Sequence, residues 1–72
     1  MNKAFLESVM KLHSDTQADL AEYLGISLSR LNAKINEYRG AQFLQAEIVA
    51  IKKRYALTEE QVDSIFFGEK VS

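Results

Sequence analysis

Residues 16–36 read TQADLAEYLGISLSRLNAKIN. Thr16 followed by Asp19 is a capping-box variant, in which a hydroxyl and a carboxylate each accept a hydrogen bond from a first-turn N–H. Ala18, Leu20, Ala21 and Leu24 then give a helix an apolar face. Gly25 supplies the positive φ that ends a helix at low cost. Ser27 is a good N-cap for a second helix, which Leu31 and Ile35, four apart, anchor to the core. Two short helices joined by a Gly at this offset are the pattern of a helix-turn-helix. Ala21 sits where the two helices approach, and its small side chain permits the approach. Ile26 and Leu31 fill the wedge between them.

The flanking segments are helical as well. Residues 3–12 place Phe5, Leu6, Val9 and Leu12 on one face, with Asn2 as N-cap. His13, Ser14 and Asp15 interrupt that pattern. Residues 37–43 read as a loop around Gly40. A fourth helix is expected over 45–55, with Ile48, Ile51 and Tyr55 inward. Thr58 with Gln61 is another capping box and opens a fifth helix, whose buried face is Val62, Ile65 and Phe66. Gly68 is the expected stop, and residues 68–72 are expected to fray. The reading is one all-α domain over 1–72, ordered over about 3–67, with five helices and short connections.

Composition narrows the class. Seventy-two residues make one small domain, and there is no Cys and no Pro. A core of this size supplies only about 3–5 kcal/mol of net stability. Without Cys there is no disulfide framework, no thiolate nucleophile and no Cys-ligated zinc. No apolar run approaches a membrane span, and the start lacks the pattern of a signal peptide, so a cytoplasmic protein is expected. The only His has no orienting partner at a recognisable spacing, and no Gly-rich loop could cradle a phosphate. No enzyme, metal or cofactor is expected.

Charge is uneven. The chain has nine Lys plus Arg against ten Asp plus Glu. Residues 1–26 carry two basic and four acidic groups, residues 27–54 six basic and two acidic, and residues 55–72 one basic and four acidic. Only the middle is electropositive, whereas a DNA reader normally has a positive footprint. The Lys52-Lys53-Arg54 run reads as a solvated helix end that suits the helix dipole.

In a helix-turn-helix the second helix enters a DNA major groove. Its open face here carries Leu28, Ser29, Asn32 and Ala33, with Arg30 and Lys34 beside them. Arg bonds bidentately to guanine and Asn to adenine, while Ser and Lys reach phosphate. Gln17 brings an amide and a helix N-terminus to a phosphate, and Arg39 adds a further contact from the loop. The DNA-facing candidates are therefore Gln17, Ser27, Ser29, Arg30, Asn32, Lys34 and Arg39. Seven aromatics are more than a small core takes, and Ile65, Phe66 and Phe67 point about 100° apart in a helix. Leu28, Tyr38, Phe43, Tyr55, Phe66 and Phe67 are accordingly candidates for a protein interface.

Thr16-Gln17, Leu20-Ala21, Leu24-Gly25 and Ser27 match the lambda-repressor-like, Cro-type helix-turn-helix family. Phe43, Glu47-Ile48 and the stretch from Leu57-Thr58-Glu59-Glu60 to Ile65-Phe66-Phe67 resemble the small regulators of Gram-positive temperate phages. The resemblance spans residues 3–67. It implies a transcriptional switch protein in the cytoplasm of a bacterial host, of the antirepressor (modulator-of-repression) or Cro type. An antirepressor's partner would be the cognate phage repressor. A Cro-type protein would bind operator DNA as a homodimer, with Gln17 on phosphate and positions 28, 29, 30, 32 and 33 facing bases. Leu28 and Ala33 depart from a reading helix because neither offers a hydrogen bond. Leu44 stands where such proteins often begin the next helix with Thr or Ser, and Glu37 would repel a nearby phosphate.

Overall fold

The structure, a computed structural model, describes residues 1–68. The expected fraying of 68–72 lies outside that range except for Gly68. Among the described residues there are five helices and no strand. They are α1 (Lys3–Leu12), α2 (Gln17–Leu24), α3 (Leu28–Ile35), α4 (Gln45–Arg54) and α5 (Glu59–Val62), which runs on as a π-helical turn over Asp63–Phe67. A 3-10 turn at Tyr38–Gly40 separates α3 from α4. The radius of gyration is 11.4 Å, close to the ~11 Å of a compact chain of this length.

Each helix begins where its side chains can satisfy the first-turn N–H groups. Asn2 Oδ1 accepts from Phe5 N at 3.1 Å, and Ser27 Oγ from Arg30 N at 3.1 Å. Both capping boxes are complete. Thr16 and Asp19 bond reciprocally at 3.1 and 3.0 Å, and Thr58 and Gln61 at 3.1 and 2.9 Å. At α4 only half of a box exists. Glu47 Oε1 accepts from Leu44 N at 2.8 Å, but the Leu44 side chain has nothing to return.

Helix ends repeat one device. After α1, α2 and α4 the backbone turns left-handed at Ser14, Gly25 and Ala56, with φ of 55°, 74° and 52°. In each case the next residue's N–H reaches back over the last turn: Asp15 to Met10, Ile26 to Ala21 and Leu57 to Lys52, at 2.8, 3.0 and 2.9 Å. This is the Schellman closure, and only one of the three uses glycine. Gly68 matters for a different reason. A Cβ there would lie 2.9 Å from the Ser64 carbonyl oxygen, so any side chain at this position would push on the backbone of the π-helical turn.

Every helix contributes to the core. Leu6, Leu20, Leu31, Ile35, Ile51 and Ile65 are its fully buried large side chains. The start of the chain is tied to its end by Asn2 N donating to Ile65 O at 2.6 Å. Two apolar assignments need correction. Leu12 is 81% exposed, and Met10 is buried in its stead. The inward face of α1 is Leu6, Val9 and Met10, and Leu12 lies some 240° round the helix from Leu6. Ala18 is also exposed, because it lies about 200° from Leu20.

Candidate functional site

The turn motif forms as the spacing predicts. Helices α2 and α3 pack directly on each other through buried Leu20, Ala21 and Leu31, with Ile26 partly buried between them. The inward side of α3 is Leu31, Lys34 and Ile35. Outward are Leu28, Ser29 and Arg30, while Asn32 and Ala33 are half-buried. Arg30 and Ala33 border a groove of about 300 Å³ whose other wall is Ala41 and Gln42. Asn32 turns its amide onto its own helix, donating to Leu28 O at 3.3 Å. Ser27 stands exposed as the cap of α3, and half-buried Gln17 opens α2. Arg39 is exposed at φ 53°, with its guanidinium 5.2 Å from the Tyr38 ring centre.

Lys34 corrects the expectation that it faces outward. It is only 7% exposed, and its ammonium donates to Gln42 O at 3.2 Å and pairs with Glu47 at 3.0 Å. Position 34 lies three residues after Leu31 and beside Ile35, on the stripe that faces α4. There Glu47 both caps α4 and neutralises Lys34. The charge therefore fastens α3 to α4.

Arg54 is likewise not a solvated helix end. Its Nε and Nη2 donate to the two oxygens of Asp15 at 2.7 and 2.8 Å, and its guanidinium lies 4.6 Å from the Tyr23 ring centre. The Tyr55 hydroxyl donates to the same carboxylate. The Arg54 hydrogen bonds hold the Asp15 carboxyl below the usual carboxylate range, against the opposing effect of burial. Burial first, and the hydrogen bond to Asp15 second, push the Tyr55 phenol upward. His13 completes the cluster, its ring centre 5.1 Å from that of Tyr55. Lys52 pairs with Glu59 at 2.5 Å across the α4–α5 turn. Of the six basic groups in residues 27–54, Lys34, Lys52 and Arg54 are thus paired. Among the described residues Arg30, Arg39 and Lys53 form no ion pair.

The interface candidates divide by exposure. Leu28, Tyr38 and Phe67 are exposed by 46, 60 and 53%. Phe43 and Phe66 are half-buried and meet edge to face at 5.5 Å. Tyr55 is a correction: at 4% exposure it belongs to the core and the Asp15 cluster, and cannot reach a partner. A cleft of about 170 Å³ opens beside Phe67, with Phe43, Ile48 and Phe66 on its walls. Exposed Leu44, just before α4, and exposed Val49 on it had no signal, since local pattern does not say which faces neighbours cover. The Asp15–Arg54–Tyr55 cluster was equally hidden, its members lying 39 and 40 residues apart.

No group of three His, Cys, Asp or Glu among the described residues could hold a metal ion. No helix of the described residues is long and apolar enough to cross a membrane. Comparisons with protein families, with curated proteins and with solved structures returned no match.

Proposed function

We propose that this chain is a phage-type, lambda-repressor-like regulator of a lysogenic/lytic switch, acting as an antirepressor. It binds the DNA-binding domain of a cognate repressor and blocks operator binding. The observation that carries this reading is the inward Lys34. With that charge held by Glu47, the outward stretch of α3 keeps Arg30 as its cation, next to Leu28. Too little positive charge then remains to gather phosphates, since each phosphate contact contributes through a released counterion. The acidic N- and C-terminal segments suit a basic partner and would speed its encounter.

A second reading is supported by the exposure of Ser29 and Arg30 at the start of α3. On it the chain is a Cro-type homodimer that reads an operator with α3, Arg30 contacting guanine and Gln17 a phosphate.

The test is a gel-shift titration with the repressor encoded beside the chain and its operator. Added to a preformed repressor–operator complex, the protein should release free DNA and bind the repressor in its place. Alone, it should not shift the operator at micromolar concentration. A sub-micromolar shift by the protein alone, steeply salt-dependent and lost in Arg30→Ala, would overturn the antirepressor reading in favour of the second.

A further inference from the structure

We propose that the outer face of α5 and its π-helical turn is a docking surface for a basic protein domain, with Phe67 as its apolar anchor. The proposal rests on the antirepressor reading and gives it a contact surface separate from α3.

Val62 and Ile65 face the core and Phe66 packs on Phe43. That leaves Glu60, Asp63, Ser64 and Phe67 exposed, at the three- and four-residue spacing of one helical stripe. The stripe falls largely on a π-helical segment, a rare form that is frequent at functional sites. Ile65 is fully buried on this segment while Phe67, two residues on and on the opposite side, remains half in water. Phe67 borders a cleft that is apolar at Phe43, Ile48 and Phe66 and polar at Lys34, Glu37 and Gln42. Its volume of about 170 Å³ gives a partner side chain a place to enter beside Phe67, its stem against Phe66 and its tip toward Gln42 and Glu37. A half-exposed aromatic rimmed by charge, which a partner can desolvate on docking, matches the anatomy of an interface hot spot.

Charge selects the occupant. Glu59 is paired with Lys52, whereas Glu60 and Asp63 form no ion pair among the described residues. These carboxylates call for Lys or Arg on the partner, and a neutral or acidic surface would leave them unpaired. DNA is repelled from this face. A second copy is disfavoured too, because a two-fold contact sets like patches together and would bring carboxylates against carboxylates.

The experiment measures affinity for the DNA-binding domain of the cognate repressor, by calorimetry at low and high salt. Phe67→Ser should weaken binding about 30-fold, the loss typical of a hot-spot truncation. Glu60→Lys with Asp63→Lys should weaken it by about tenfold or more at low salt and reverse the salt dependence, since two attractions become two repulsions that salt screens. Arg30→Ala, on the other surface, should leave affinity within about twofold. All these side chains are exposed, so unchanged melting temperatures separate lost contacts from lost folding. Wild-type affinity in both α5 variants, with repressor binding intact, would overturn this proposal and leave the antirepressor reading standing. A wild-type protein that binds no repressor would overturn both. Conversion of a homodimer to a monomer by Phe67→Ser, with repressor affinity unchanged, would assign the face to a second copy and refute a basic partner.

Discussion

Asp15→Ala is the substitution that most directly probes how the domain holds together. The Asp15 side chain is only 9% exposed and accepts two guanidinium hydrogen bonds from Arg54 and one from the Tyr55 hydroxyl. Removing one member of a buried ion pair typically costs about 3–5 kcal/mol, because the other charge stays buried without compensation. Arg54 keeps a 27% exposed side chain and its position over Tyr23, so part of its charge can be rehydrated. The expected loss is about 2–3 kcal/mol. Against the ~3–5 kcal/mol available to a domain this small, the variant should sit close to its unfolding threshold. Its melting temperature should fall by roughly 10–20 °C. Asp15→Asn keeps the size and one acceptor but loses the charge, and should cost about 1–1.5 kcal/mol.

The same site fixes the acid behaviour. A carboxyl whose pKa is depressed on folding contributes stability that is fully present above its unfolded value of about 3.9. That contribution is lost as pH falls further, through the depressed folded value. Urea midpoints followed below about pH 4 should therefore drop faster in the wild type than in Asp15→Asn, and the two curves should converge. Parallel curves, or a cost of Asp15→Ala below about 1 kcal/mol at pH 7, would refute the assignment of the cluster as the clamp between the α1–α2 turn and α4.

Ala56 holds a left-handed conformation at φ 52°, which costs an L-residue roughly 1–2 kcal/mol relative to glycine. The extra freedom of glycine in the unfolded chain returns part of that, so Ala56→Gly should raise stability by about 0.5–1 kcal/mol, read as a higher urea midpoint. Exchanging the roles of two α1 residues tests the helix face. Leu12→Lys should change thermal stability by less than about 0.5 kcal/mol, whereas Met10→Ala should cost about 2 kcal/mol or more.

What could be read directly from residues was what neighbours decide. The Thr16–Asp19 and Thr58–Gln61 boxes, the Asn2 and Ser27 caps and the Gly25 stop all formed where their spacing places them. These features close hydrogen bonds over three or four residues, so the sequence alone determines them. Leu31, Ile35, Ile48 and Ile51 were legible as core for a related reason: a helix repeats its inward face every three or four positions. Leu12 and Ala18 read as inward on their apolar character alone, although the period turns them about 120° and 200° away from Leu6 and Leu20. Left-handed ends at Ser14 and Ala56 carried no glycine to announce them.

The candidate site depends on longer distances. Arg30 and Lys34 are four residues apart on one helix, both basic and both placed outward by the motif. One is exposed and the other is 7% exposed, because Glu47 on α4 faces only Lys34. Arg54 is drawn from the solvent by Asp15, 39 residues earlier in the chain. Tyr55 follows it inward, and Phe67 is left outside once Ile65 has entered the core and Phe66 has packed at its edge on Phe43. The sequence by itself determined five helices, four of them with capping residues, and a helix-turn-helix, because caps, turns and periodicity are short-range physics. Which cations remain free and which aromatics face water was decided only by the packed structure, because charge pairing and burial are settled by the helix that lies opposite.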